Sequence, residues 1–204
     1  MAVNGNGRKV KGTFIIPLAR IINRRKEIDW VNQGHLTQED LQRVKERILA
    51  STWYDLDFFT RVSTAVYRLV GNNRPEGAHQ FGEGIMWETL AKIYHASLIK
   101  ASPSEALSRF ASLYNGIFFN TGSVEFKADG QEAVLRIFDP SGIPVPEFFI
   151  VMFKSLLQKI ARENQAAQVE VRCEEESLMR NQRIYSATFH LRWRENTGNL
   201  KKSA

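Results

Sequence analysis

The segment VEVRCEEES, residues 169–177, holds the only cysteine of the chain, Cys173, with Glu170 three positions before it and three glutamates directly after. A Glu-x-x-Cys pair offers one oxygen and one sulfur ligand, so metal binding is the first chemistry to weigh. Two facts oppose it. Structural zinc is usually held by four ligands, and no second cysteine exists. Strand side chains also alternate faces, so positions three apart point opposite ways. Regular pairing sends Val169, Val171 and Cys173 to an apolar face and Glu170 and Arg172 to water. Cys173 is expected to be buried and unmetallated, with Glu170 and Cys173 the relic of a metal pair.

The histidines offer the next chemistry. His79 and His95 fall in a helical stretch, from which an imidazole could ligate a haem iron, but no C-x-x-C-H accompanies them. His35 sits in a loop and His190 on the wet face of a strand. The chain has no nucleophile elbow, no phosphate-binding G-x-x-x-x-G-K-[ST] loop and no H-E-x-x-H. HQFGEGIMWE has two glycines but reads as helix, and no two acids are spaced as an acid/base dyad. The chain is therefore expected not to be an enzyme and to carry no cofactor, zinc and haem both being disfavoured.

These residues sit in a chain of 204 residues with 43% apolar and 25% charged content and a net charge of +6. That length suits one domain, burying about 70% of its unfolded surface. No run is long and apolar enough to span a membrane. FIIPLARII is interrupted by Arg20 and lacks a cleavage site, so it does not read as a secretory signal. A single cysteine fits a reducing compartment, and the cytoplasm is expected. The first acid is Glu27, which leaves a basic surface of Arg20, Arg24, Arg25 and Lys26. It reads as the solvated face of a packed helix, with weak contact to a membrane surface as an alternative. Nucleic acid is not expected, since no recognition motif accompanies the charge.

The first half is patterned as helices. Phe14, Leu18, Ile21 and Ile22 form one stripe, with Arg20 and Arg24 turned away. Thr37 and Asp40 set up a capping box ahead of Leu41, Val44 and Ile48. Leu56, Phe59, Val62, Val66 and Leu69 follow, with Gly71 as a stop. Pro75 opens a long helix through residue 101, in which Gly82 and Gly84 could admit another backbone. Ser102-Pro103-Ser104-Glu105 is the strongest start signal, and that helix carries Leu107, Phe110, Leu113, Tyr114 and Phe118.

The second half changes period. SVEFKA and EAVLRIF flank Asp129-Gly130, a tight-turn signal that puts Val124, Phe126, Ala133, Leu135 and Ile137 on one face. Pro146 starts a helix apolar around much of its circumference, and two strands close the chain. The fold class is α+β: helices, then β-β-α-β-β, with helices on one face of a four-stranded antiparallel sheet. Residues 1–9 are expected as a flexible head, 10–194 as one domain and 195–204 as a flexible tail.

An opening VKGT, a central WYDLDFFTRVSTAV, then LAKIYHASLIKASPSEALSRFASLYNGIFFNTGSVEF and a closing VEVRC and YSATFHLRW resemble a small family of uncharacterised bacterial proteins. That family is best populated in myxobacteria and related deltaproteobacteria, and the likeness spans residues 8–193. It is similar in turn, mainly over residues 102–193, to the superfamily of 4-vinyl-reductase-type, haem-NO-binding and Golgi-tethering (TRAPP) domains. The resemblance implies a binding or sensory domain, commonly dimeric, with a pocket between helices and sheet. In vinyl-reductase-type sensors, zinc is held by an upstream cysteine and by a Glu-x-x-Cys followed by a further cysteine. Glu170 and Cys173 match the pair, Asn181 stands near the later position, and the upstream cysteine is missing. The haem branch's Tyr-x-Ser-x-Arg is missing as well, since YSATF does not supply it.

The function expected from this is a non-enzymatic cytoplasmic regulatory module acting through protein contacts, as a homodimer or with a signalling partner. The alternative is a sensor that binds a small apolar or aromatic ligand between helices and sheet. Its pocket walls would be Trp87, Tyr94, Phe110, Tyr114 and Phe118, residues that equally suit a filled core.

Overall fold

The structure, a computed structural model, describes residues 7–100, 102–177 and 183–195. A short strand β1 (Lys9–Lys11) leads straight into α1 (Gly12–Arg24), and pairs antiparallel with β2 (Trp53–Asp55). Gly12 is required at this junction, because a Cβ there would meet the Leu49 carbonyl oxygen at 2.1 Å. Phe14, Leu18 and Ile22 are buried while Arg20 and Arg24 are exposed, as the helical spacing predicts. Helix α2 (Gln38–Lys45) begins in a complete capping box between Thr37 and Asp40. Asp40 is buried and accepts a bidentate pair from Arg61 on α3 (Leu56–Leu69), at 2.8 and 2.7 Å.

The long helix predicted from Pro75 is broken. It runs as α4 (Pro75–Phe81), a π-helical turn over Gly82–Met86, α5 (Trp87–Ile93) and the single turn α6 (His95–Leu98). Gly82 presses on the backbone of helix α8 (Pro146–Glu163), where a Cβ would meet the Met152 carbonyl oxygen at 2.3 Å and Ser155 Oγ at 2.2 Å. Nothing comes within 4 Å of a Cβ at Gly84. The close approach therefore belongs to one of the two glycines. The second break falls at Tyr94, whose φ of −117° and ψ of 31° leave the helical region.

Helix α7 (Pro103–Tyr114) starts on Ser102 as expected but ends before Phe118, which lies in the loop beyond it. The sheet then forms from β3 (Ser123–Asp129), β4 (Glu132–Phe138), β5 (Ala166–Ser177) and β6 (Ile184–Glu195) in the antiparallel order β3-β4-β6-β5. Asp129 pairs with Glu132, so the tight turn is Gly130-Gln131, one residue later than the sequence signal. Gly130 supplies the positive φ, 54°. The face assignment survives, since Val124 pairs with Ile137, Phe126 with Leu135 and Ala128 with Ala133.

Helices α7 and α8 (Pro146–Glu163) cover one face of this sheet. Fully buried Asn164 ties the end of α8 to the end of α6 and the linker that follows it. Its side chain donates to the carbonyls of Leu98 at 2.8 Å and Ile160 at 2.7 Å and accepts from Lys100 N. Among the described residues, no helix is long and apolar enough to cross a membrane.

Candidate functional site

The strand parity argued for Cys173 holds. Val171 and Cys173 pair with Leu191 and Phe189 on the helix-covered face, while Glu170 pairs with Arg192 on the open face. Glu170 and Cys173 therefore cannot share one ion through a regular strand. Cys173 is half-buried, and its thiol is pushed up to about 11, first by burial and then by Glu175. Asn181 lies outside the described residues. Among those described, no three His, Cys, Asp or Glu side chains are grouped as a metal site.

Four of the five predicted pocket residues do come together. Phe110 and Phe118 are fully buried and Tyr114 is 3% exposed. Tyr94, half-buried, meets the Phe118 ring edge-on at 5.3 Å, and Phe118 lies 6.0 Å from Phe110. Trp87 is buried on α5 but joins none of these ring contacts.

The cluster is larger than its sequence signal. Phe153 on α8 stacks on Phe149 at 4.3 Å and reaches Phe110 at 5.7 Å and Tyr114 at 5.9 Å. Phe14 on α1 packs 5.1 Å from both Phe118 and Phe119. The all-round apolarity of α8 was the available sign that its phenylalanines would enter. These rings line none of the three cavities described below, and four of the five predicted walls belong to one continuous set of ring contacts.

Polar groups edge this interior. The bridge Val10–Phe119 is antiparallel, and Lys9 and Asn120 exchange backbone and side-chain hydrogen bonds, which places Arg8 opposite Thr121. Arg8 Nη2 donates to Asp139 at 2.5 Å and to the Gly142 carbonyl at 2.8 Å. Arg8 Nε and Thr121 Oγ1 are buried with no hydrogen-bond partner. Burial, with Asp139 nearby, holds the Tyr114 phenol far above its ordinary value, so it stays protonated.

Surface cavities lie elsewhere. An apolar notch of about 130 Å³ opens between Ile21, Val66, Val70, Phe81 and Phe148. A groove of about 440 Å³ separates the end of α1 from α2, and a concavity of about 330 Å³ lies on the open sheet face around His190. The basic residues Arg20, Arg24, Arg25 and Lys26 are all exposed; Arg25 pairs with Glu27.

No family model matches the sequence. No curated protein matches it either. Solved structures do match, along nearly their whole length. An H-NOX protein from S. oneidensis in the Fe(II)NO ligation state is 11% identical with a TM-score of 0.60, covering 91% of this chain and 99% of that one. An oxygen-binding H-NOX domain related to soluble guanylate cyclases is 14% identical, with a TM-score of 0.57 and coverage of 94% and 97%. The fold is that of the H-NOX domains. A third such structure, which probes the function of haem distortion in that family, is 13% identical with a TM-score of 0.58, covering 95% and 100%.

The H-NOX fold overturns one expectation. The sequence motifs disfavour any cofactor, haem and zinc included, yet the structures that share this fold are haem proteins. The physical reason is that a fold persists at 11–14% identity while short motifs do not, so a missing motif does not set a cofactor aside. This chain's own residues do not supply an imidazole for the iron from the interior. His35 and His95 are exposed, and the His79 and His190 side chains are each 45% exposed. The described histidines thus do not fit a haem iron seated in the interior.

Proposed function

We propose that the chain is a non-enzymatic, cytoplasmic ligand-sensing domain that takes up a small apolar or aromatic molecule between its helices and its sheet. The observation that carries this reading is the whole-length likeness to H-NOX domains, one described as oxygen-binding and one carrying NO on Fe(II). The likeness favours the sensor over a module that acts through protein contacts alone, so the alternative reading becomes the main one. Protein contact then becomes the output of sensing. Val134 and Phe138, 38% and 40% exposed on the open sheet face, offer a surface for a second copy or a signalling partner. Kinship with the small bacterial family and its vinyl-reductase-type and tethering relatives belongs to the same proposal, carried by the quoted segments.

The test is to express the chain with a haem precursor supplied and examine it by absorbance and native mass spectrometry. Retained haem, with a band that shifts on NO, or any other retained small molecule, supports the sensor. A bare mass, with no uptake of haem or of indole as an aromatic probe, would overturn it in favour of a protein-contact module.

A further inference from the structure

The groove between α1 and α2 has a different character from the aromatic interior. Its floor is apolar: Ile22, Trp30 and Val44 are buried and Ile28 and Leu41 are half-buried. Its walls are fixed by hydrogen bonds. Asn23 Nδ2 donates to the Val44 carbonyl at 3.0 Å, tying the two helix ends together, and Trp30 Nε1 donates to the Arg25 carbonyl at 3.1 Å. A cleft of about 440 Å³ with such a floor falls in the size range of small-molecule sites.

Charge at the mouth decides what would enter. Lys26 and Lys45 line the groove, and neither has an ion-pair partner among the described residues. Arg20, Arg24 and Arg47 are likewise exposed and unpaired, and Arg24 lies two residues from Lys26. One carboxylate, Asp29, lines the groove with the two lysines, and hydrogen bonds engage its charge. Glu27 is held by Arg25, and Asp29 accepts from the amides of Val31 and Asn32 and from the Asn32 side chain. Lysines in the last turn of a helix commonly just balance its dipole. Lys45 is such a residue, but Lys26 lies beyond the end of α1, and together they flank a fixed apolar cleft, which a dipole argument does not require.

We infer that this groove binds an amphipathic anion, its apolar chain along Trp30, Leu41 and Val44 and its carboxylate or phosphate head between Lys26 and Lys45. A cleft of about 440 Å³ suits one small molecule, so the occupant is a free amphiphile, with a lipid surface as the competing outcome of the test. The site is separate from the aromatic interior, so it stands or falls independently of the sensor reading.

Calorimetric titration of the full chain with decanoate below its micellar concentration, against decanol as the neutral analogue, tests this. Decanoate should bind about tenfold more tightly than decanol, and the double variant Lys26→Gln/Lys45→Gln should erase that difference. Both lysines are exposed, so the double variant should keep the parent melting temperature. Leu41→Trp, which fills the groove, should weaken decanoate and decanol alike. Equal binding of the two ligands by the parent, or a preference that survives the lysine substitutions, would overturn the assignment. A parallel sedimentation assay uses phosphatidylglycerol vesicles. Vesicle binding lost in Leu41→Trp, with no decanoate bound by the parent, overturns the free amphiphile in favour of a lipid surface. Vesicle binding that persists in Leu41→Trp, with no decanoate bound by the parent, overturns the groove in favour of a diffuse basic surface.

Discussion

At the scale of single residues, buried charge is the feature most open to test. Burial alone would push the Asp40 carboxyl up, but the Arg61 fork and the Thr37 amide and hydroxyl outweigh it and leave it below its ordinary value. Such a group stabilises the fold above the ordinary carboxylate range, and that contribution is lost as pH falls through the folded value. Arg61→Ala should cost about 2–3 kcal/mol at pH 7, less than a fully buried pair because the guanidinium is 43% exposed. The loss should shrink only as pH falls below the ordinary carboxylate range and through the lower folded value, where the carboxyl protonates even beside Arg61; chemical denaturation at pH 7 and in that acid range measures it. Cys173 shifts the other way. Its raised value means the neutral thiol is favoured in the fold, so stability is intact below the ordinary 9.0 and declines as pH rises toward about 11. Alkylation by iodoacetamide should follow that higher value in the folded chain and the ordinary one in urea. Identical pH profiles in the two states would show the thiol to be solvated.

Elements show where local signals suffice and where they do not. The Thr37 capping box, the Ser102-Pro103 start and the alternation of β3 and β4 were all legible, because each depends on residues close together in sequence. The π-helical turn at Gly82–Met86 was not, since the α8 backbone that Gly82 packs against is seventy residues away in the chain. The ribbon of β1 and β2 was missed for the same reason: three-residue strands carry no period, and their partner is distant. The two glycines separate these contributions. Gly82→Ala should destabilise by about 2–3 kcal/mol through overpacking against Met152 and Ser155. Gly84→Ala meets nothing and should stabilise by about 0.5–1 kcal/mol, because alanine restricts the unfolded chain. Thermal unfolding of both variants decides this. A cost at position 84 equal to that at 82 would mean that the π-helical turn itself, and not the α8 contact, demands glycine.

For the whole molecule, the aromatic cluster is what makes the helical half and the sheet half one body. Phe14 comes from the first helix, Phe110 and Tyr114 from α7, Phe118 and Phe119 from the loop before the sheet, and Phe149 and Phe153 from α8. Sequence periodicity identified about half of these as interior, because a stripe reveals which face of a helix is buried but not which stripes meet. It also read cofactor use from motifs, whereas the fold shared with haem proteins is carried by the arrangement of elements. Phe153 sits at the junction, within 4.3–6.2 Å of Phe149, Phe110, Tyr114 and Phe14. Phe153→Ala should therefore cost about 3–5 kcal/mol and lower the melting of both halves together. Near-ultraviolet circular dichroism reports the packed rings and far-ultraviolet the backbone, so the two should still melt in a single coincident transition. The space vacated is apolar, and added benzene should recover part of the lost melting temperature, as in engineered cavities of about 150 Å³. Separate transitions for rings and backbone would show instead that the two halves fold independently. The interior would then be a seam between two bodies, and a ligand seated there would act by closing it.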